Sequence, residues 1–184
     1  NGVSWTNTSF PINYDCRRIK KIELINNNLA YALCDKKLWK WDGTSWTLSY
    51  SSKVVLNDFS FSSESFGFLA ADNRTMFKWT GGSWIEKHYA GENITYSGIS
   101  NYFEFYKVYT RSGTEAYAVG LRYMGAESII NSNWKWDGND WTRYAVNVTK
   151  PRPAGVQLDS IYLPNTFRLS PWYFIEGKNK ELYA

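Results

Sequence analysis

The stretch KLWKWDGTSW, from Lys37 to Trp46, returns as TMFKWTGGSW at Thr75–Trp84 and as SNWKWDGNDW at Ser132–Trp141. A unit this rich in aromatic residues cannot bury them alone, so the chain must stack repeats against one another. In each copy an Asp-Gly or Gly-Gly pair stands between two aromatic-rich runs, which is a strong short-range hairpin signal. Read as a two-residue turn at Asp42-Gly43, the hairpin sets Trp41 opposite Thr44 and Trp39 opposite Trp46. The same construction sets Phe77 opposite Trp84 and Trp134 opposite Trp141, with Trp41, Trp79 and Trp136 on the same face. Cross-strand aromatic pairs contribute about 0.2–1 kcal/mol each, which makes the hairpin locally over-determined.

A shorter strand signal precedes each hairpin: LAYAL at Leu29–Leu33, FGFLA at Phe66–Ala70 and EAYAV at Glu115–Val119. A fourth, PWYFI, stands at Pro171–Ile175. Before these lie further β-type runs such as IKKIELI and VVLNDFSF, so each unit reads as four strands, a to d. The d-strand tryptophan recurs at Trp5, Trp46, Trp84 and Trp141, at spacings of 41, 38 and 57 residues. Four strands repeated at ~40–50 residues is the signature of a β-propeller blade. Helical periodicity is absent throughout.

The predicted fold class is therefore all-β: a four-bladed β-propeller of four antiparallel strands per blade, in one domain spanning residues 1–184. Its expected parts are a closing strand at 1–9 and blades near 10–50, 51–90, 91–146 and 147–184. The closing strand is expected because KELYA at the C-terminus matches the start of strand c, while NGVSW at the N-terminus matches the turn and strand d. Two alternatives stay open: an excerpt of a longer propeller, or a strand 1–9 that completes a neighbouring molecule. The chain opens on Asn1 rather than Met, which reads as a processed product or a fragment.

The W-x-W-D-G-x-x-W hairpin preceded by A-Y-A-V-G resembles the propellers of tectonins, tachylectins and related repeat proteins. The resemblance covers essentially the whole chain as blade motifs and implies sugar binding, since many of those relatives are lectins. It transfers no sugar-contact residue to a position here. The repeated Trp39, Trp41, Trp46, Phe77, Trp79, Trp84, Trp134, Trp136 and Trp141 read as core.

Aromatic residues make up 18% of the chain, and no stretch approaches the ~20 apolar residues of a membrane span. Net charge is +4 and the basic residues are scattered. Arg17, Arg18, Lys20 and Lys21 read as a solvated strand edge, and no basic stripe with interleaved aromatics points to nucleic acid. Two cysteines exclude a zinc site on ligand count, and no cofactor is expected. Cys16 and Cys34 read as one disulfide or as two buried thiols. Asn7, Asn73, Asn93 and Asn147 open N-x-S/T sequons that map toward the b–c and d–a side, which makes them candidate glycan acceptors.

Blade 3 departs from the repeat: 14 residues, GLRYMGAESIINSN, separate Val119 from Trp134, where 5 separate Leu33 from Trp39. This segment reads either as a binding element on a rigid scaffold or as an extended hairpin. Arg122 and Tyr123 are its candidate ligand contacts. Trp172 is a third candidate, because it fills a slot held by Ala30, Gly67 and Ala116 elsewhere. The sole histidine, His88, has no recognisable nucleophile and orienting group in sequence, so no triad is read. The expected function is a secreted or surface-exposed, non-catalytic glycan-binding or adhesion module, with glycans or surface glycoproteins as partners. The alternatives are a structural subunit of an extracellular assembly, joined to copies of itself through blade strands, and a glycosidase-like enzyme using two carboxylates.

Overall fold

Three successive four-stranded meanders form the body of the computed structural model, which describes residues 10, 16, 18–89, 102–123, 129–144, 175–176 and 182–183. The first comprises β1 (Ile19–Asn26), β2 (Leu29–Cys34), β3 (Lys37–Trp41) and β4 (Trp46–Ser51). The second comprises β5 (Leu56–Ser63), β6 (Phe66–Ala71), β7 (Thr75–Trp79) and β8 (Trp84–His88). The third comprises β9 (Tyr102–Ser112), β10 (Glu115–Tyr123), β11 (Ile129–Trp136) and β12 (Trp141–Tyr144). A two-stranded hairpin, β13 (Ile175–Glu176) with β14 (Leu182–Tyr183), lies where strands b and c of a fourth unit are expected. Every pairing is antiparallel and sequential, and no helix occurs among the described residues. The chain is an all-β propeller in which each meander is a blade.

Strand alternation sorts each blade into two faces. In blade 1, register places Ile22, Leu24, Ala30, Ala32, Trp39, Trp41, Trp46 and Leu48 on one face. The other face carries Leu29, Tyr31, Leu33 and Leu38, which pack against Phe59, Phe61, Leu69 and Phe77 of blade 2. Blade 2 in turn offers Phe68, Ala70 and Met76 to Val108, Ala116, Ala118, Trp134, Trp136 and Trp141 of blade 3. In blades 2 and 3 the aromatic hairpin thus faces the preceding blade. Burying one such Phe or Leu stabilises the fold by about 1.5–3 kcal/mol.

Blade 1 breaks this rule on its aromatic face. Phe59 and Phe61 are 0% and 8% exposed, and Val108 and Thr110 are 3% and 4% exposed. Ile22 and Leu24 occupy the matching register positions, opposite Ala32 and Ala30, and are 57% and 66% exposed. Phe10 packs edge-on to Trp39 and Trp46, and Cys16 joins the same cluster, so among the described residues only the outer part of this face has a cover. Cys16 and Cys34 form a disulfide, which ties the segment before β1 to the end of β2. The closing strand 1–9 and most of the expected fourth blade lie outside the described residues.

The hairpin turn differs from its sequence-based expectation. The opposed pairs are Trp41 with Trp46, Trp79 with Trp84 and Trp136 with Trp141, whereas Trp39, Phe77 and Trp134 face Leu48, Glu86 and Arg143. The connection is four residues long because Asp42 shapes the turn with its side chain. Its Oδ1 accepts from Thr44 N at 2.9 Å, Thr44 Oγ1 at 2.7 Å and Ser45 N at 2.8 Å. A two-residue type I′ turn needs positive φ at both positions, but only Gly43 (95°), Gly81 (85°) and Gly138 (102°) adopt it. Asp137 repeats the arrangement with Asn139 N and Asp140 N. The paired indoles keep one geometry, with centroids 5.6, 5.1 and 6.0 Å apart.

The basic cluster also differs from expectation. Lys20 and Lys21 stand on inner strand β1, packed against blade 2, and not on a solvated edge. Lys20 Nζ donates to Leu56 O at 2.8 Å, and Lys21 Nζ donates to Phe59 O. Lys21 also bridges Glu23 (3.1 Å) and the buried Asp58 (3.2 Å). Asp58 Oδ2 accepts from Val108 N at 3.1 Å, and Ser60 exchanges two 2.9 Å bonds with Thr110. Polar side chains therefore stitch the three inner strands where their backbones do not pair. Arg18 is exposed, and Arg17 lies outside the described residues.

Candidate functional site

The a–b and c–d turns share one end of each blade, since Gly43, Gly81 and Gly138 approach Asn28, Ser65 and Thr114 of the a–b turns. The opposite end gathers the b–c turns and the d–a connections. There the 52–55 connection docks on both neighbours: Ser52 N donates to Lys36 O, Leu56 N to Asp35 O, and Asp72 N to Val55 O. This second end carries the candidate site.

At its centre the inner strands begin with polar residues. Asn57 Nδ2 donates to Asp72 Oδ1 at 2.7 Å and to Phe105 O at 3.0 Å, joining blades 2 and 3. Lys20 lies beside this pair. Burial pushes its ammonium pKa below the usual lysine value, and the Asp35 and Asp72 carboxylates oppose the shift. Lys20, Asn57, Asp72 and Asp35 form a polar mouth that the sequence reading missed. The available signal was a polar residue at the second position of both β1 and β5.

Blade 3 rises beside this mouth. Its strands a, b and c hold 11, 9 and 8 residues, against 8, 6 and 5 in blades 1 and 2. The segment after Val119 is the extended hairpin: Arg122 pairs with Phe103 and Ile130, and Tyr123 with Tyr102 and Ile129. The structure thus places Arg122 and Tyr123 in two adjacent rows at the end of a three-stranded tongue. Trp172, the third candidate contact, lies outside the described residues.

The repeated tryptophans serve the blades themselves. Trp79 Nε1 donates to Glu64 O at 2.8 Å and Trp136 Nε1 to Gly113 O at 3.0 Å, each closing the a–b turn of its own blade. Trp39, Trp134, Trp136 and Trp141 are buried. Lys78 Nζ stands 4.8 Å over the Trp136 ring. At the outer rim, Lys87 and Tyr89 of blade 2 grip Asp140 of blade 3 at 2.6 and 3.0 Å. Burial alone would raise the Asp140 pKa. The bonds from Lys87, Trp141 N and Tyr89 together outweigh it and hold the carboxyl low.

His88 acquires partners that the sequence did not reveal. As the last residue of β8 it pairs with Thr75, its Nδ1 is 2.9 Å from Thr75 Oγ1, and its Nε2 is 2.9 Å from Glu86 Oε1. The chain Thr–His–Glu has the connectivity of nucleophile, base and orienting group. Thr75, however, is fully buried, and its hydroxyl donates to Asn73 O at 3.1 Å. Of the sequon residues, Asn73 stands exposed in the β6–β7 turn, and Asn7, Asn93 and Asn147 lie outside the described residues. No group of three or more His, Cys, Asp or Glu residues suited to a metal ion occurs among the described residues.

No protein-family model matches the chain, and no curated protein matches it. Among solved structures, it is similar to YCF48 bound to D1 peptide, with a TM-score of 0.49 at 15% sequence identity. The similarity covers 68% of this chain and 39% of that one, so this chain spans about two fifths of that structure's length. The disulfide is compatible with an oxidising, extracellular location. No helix among the described residues is long and apolar enough to cross a membrane.

Proposed function

We propose that this chain is a non-catalytic adhesion module, secreted or held at a cell surface, that binds glycans or surface glycoproteins at the b–c end of blade 3. The observation that carries this reading is the tongue: the longest of the three described blades extends beside a polar mouth and carries Tyr102, Phe103, Arg122 and Tyr123 in adjacent rows. Aromatic rings stack on the apolar face of a sugar, and a guanidinium offers paired donors to its hydroxyls or to an acidic substituent. The engaged hydroxyl of Thr75 and the turn-forming roles of Asp42 and Asp137 support a reading without catalysis.

The test is a glycan array with the chain displayed multivalently, since linked sites make weak single-site binding measurable. Binding to one sugar class, reduced at least tenfold in Arg122→Ala or in Tyr123→Ala, whose rows belong to opposite faces of the tongue, is the expected result. Binding that both variants retain moves the site off the tongue, and absence of binding across the array sinks the glycan reading.

A second reading, a structural subunit of an extracellular assembly joined to its neighbours through blade strands, is favoured by the aromatic face of blade 1, where Ile22 and Leu24 are exposed and the described residues leave the inner part uncovered. Under it the purified chain forms higher oligomers that Leu24→Asp dissolves. A strictly monomeric chain by analytical ultracentrifugation removes this reading.

A further inference from the structure

Asn73, Arg74 and Thr75 form the sequon N-R-T, with Asn73 and Arg74 in the three-residue turn between β6 and β7 and Thr75 the first residue of β7. Two successive residues take left-handed conformations, Asn73 at φ 54° and Arg74 at φ 60°. The turn is held on both sides, Thr75 N donating to Asp72 O at 3.2 Å and Tyr89 N to Arg74 O at 2.9 Å. The Asn73 side chain is exposed, whereas Thr75 is 0% exposed. The Thr75 hydroxyl donates to Asn73 O and sits 2.9 Å from His88 Nδ1, so the d strand covers it.

An enzyme that requires Asn-x-Ser/Thr reads both the amide and the third-position hydroxyl. This turn presents the first and buries the second. We propose that Asn73 is an N-glycan acceptor that is readable only until β7 pairs with β8, and that formation of this hairpin closes the site. The inference rests on the secreted reading above. The transfer forms a bond from Asn73 Nδ2 to the anomeric carbon of an oligosaccharide carried on a lipid pyrophosphate. The anomeric carbon–phosphate oxygen bond breaks, the lipid pyrophosphate leaves with the electron pair, and one amide proton passes to solvent or an enzyme base.

A glycan attached before folding fits the finished blade, because the Asn73 side chain points away from the core. It then stands at the b–c end, next to the Asn57–Asp72 contact and one blade from the tongue. The modification would thus fix which side of the mouth a bulky partner can approach.

The test supplies purified oligosaccharyltransferase and a lipid-linked oligosaccharide to the full, unglycosylated chain. Three preparations are compared: the native chain, the same chain reduced and unfolded in urea, and Phe77→Asp, which places a charge in the core of blade 2. A standard acceptor peptide in each reaction reports that the enzyme is active, and mass spectrometry reads each Asn separately. The expected result is at least tenfold faster modification of Asn73 in the unfolded chain and in Phe77→Asp than in the native chain. Equal rates overturn the closing of the site. Absence of transfer to Asn73 in every preparation, with Asn7, Asn93 or Asn147 accepting, overturns its role as an acceptor. Because enzyme and chain are both supplied, the outcome does not depend on cellular route. A chain recovered from outside its own cells without a glycan at Asn73 would overturn its role as an acceptor there, whereas recovery of the chain only inside its own cells would sink the secreted reading and leave the outcome of this assay standing.

Discussion

Gly67 sits opposite Phe61 on the face that blade 2 turns toward blade 1. The matching pairs are Leu24 with Ala30 in blade 1 and Thr110 with Ala116 in blade 3. At this register position, among the three described blades, glycine stands on strand b only where phenylalanine stands on strand a. A Cβ built on Gly67 would lie 2.5 Å from Phe61 Cδ1 and 2.8 Å from Ser60 O, closer than real contacts allow. Phe61 cannot move aside freely, because it stacks on Tyr31 with centroids 4.4 Å apart and meets Trp84 at 5.8 Å. Overpacking of this kind costs about 1–3 kcal/mol, against a gain of about 0.5–1 kcal/mol for replacing glycine within a strand. Gly67→Ala alone is predicted to destabilise the chain by about 1–2 kcal/mol, a fall in Tm of about 2–8 °C at this length. In a Phe61→Leu background, which recreates the Leu–Ala pair of blade 1, the ring contact is relieved and the same change should cost clearly less, the remainder coming from Ser60 O. The coupling energy from a double-mutant cycle, followed by tryptophan fluorescence in urea, should reach about 0.5–2 kcal/mol. Equal effects of Gly67→Ala in both backgrounds would refute size compensation across the pair.

Other consequences follow from the same contacts. Opening the disulfide with Cys16→Ser and Cys34→Ser together should lower stability by about 3 kcal/mol, the value expected for a bridge spanning 18 residues, as read by urea midpoints. Bonds from Ser45 N and the Thr44 hydroxyl and N–H hold the Asp42 carboxyl down at about 2. The folded pKa lies below the unfolded one, so this contribution is present above pH ~4 and is lost as pH falls toward 2. A carboxyl carbon titration by NMR that places the Asp42 midpoint near 4 would contradict the turn geometry. Trp136→Phe keeps most of the buried ring but orphans Gly113 O, and should cost about 1 kcal/mol by thermal unfolding, with the neighbouring a–b turn amides exchanging faster.

The repeat was legible because its signal is redundant. Tryptophan spacing, strand alternation and glycine placement agree over three copies, and the meanders lie where they indicate. The turn was misread because Asp-Gly supports two solutions that differ in Asp42: a backbone at positive φ, or a side chain that accepts the turn amides. Only the second leaves room for Trp41 and Trp46 to oppose each other. Lys20 and Lys21 were misread for a related reason. Composition near a strand start carries no information on whether another blade packs against that strand, and here Leu56 O and Phe59 O supply the acceptors. Arg122 and Tyr123 could be singled out by an insertion, yet Lys20, Asn57 and Asp72 could not. Their convergence depends on how three blades are arranged, and no local pattern encodes that.

The direction of the aromatic hairpins bears on both functional readings. Blades 2 and 3 each bury theirs on the blade before, so the hairpin of blade 1 requires a cover from outside these three sheets. Phe10 and Cys16 supply part of it, held by the bond to Cys34, and they reach Trp39 and Trp46 but leave Ile22 and Leu24 open. Two neighbouring apolar side chains more than half exposed on an inner strand are costly for a free surface, since covering each would stabilise the chain by about 1.5–3 kcal/mol. If the cover comes from the same chain, Leu24→Asp should leave a monomer whose unfolding midpoint drops by that amount. If it comes from a second copy, the same substitution should abolish association and leave the midpoint of a dilute sample unchanged. Sedimentation velocity and urea unfolding on one variant therefore separate an adhesion monomer from an assembling subunit. An unchanged midpoint together with an unchanged, monomeric sedimentation coefficient would mean that the face is open in the working protein, and the requirement for a cover would then be wrong.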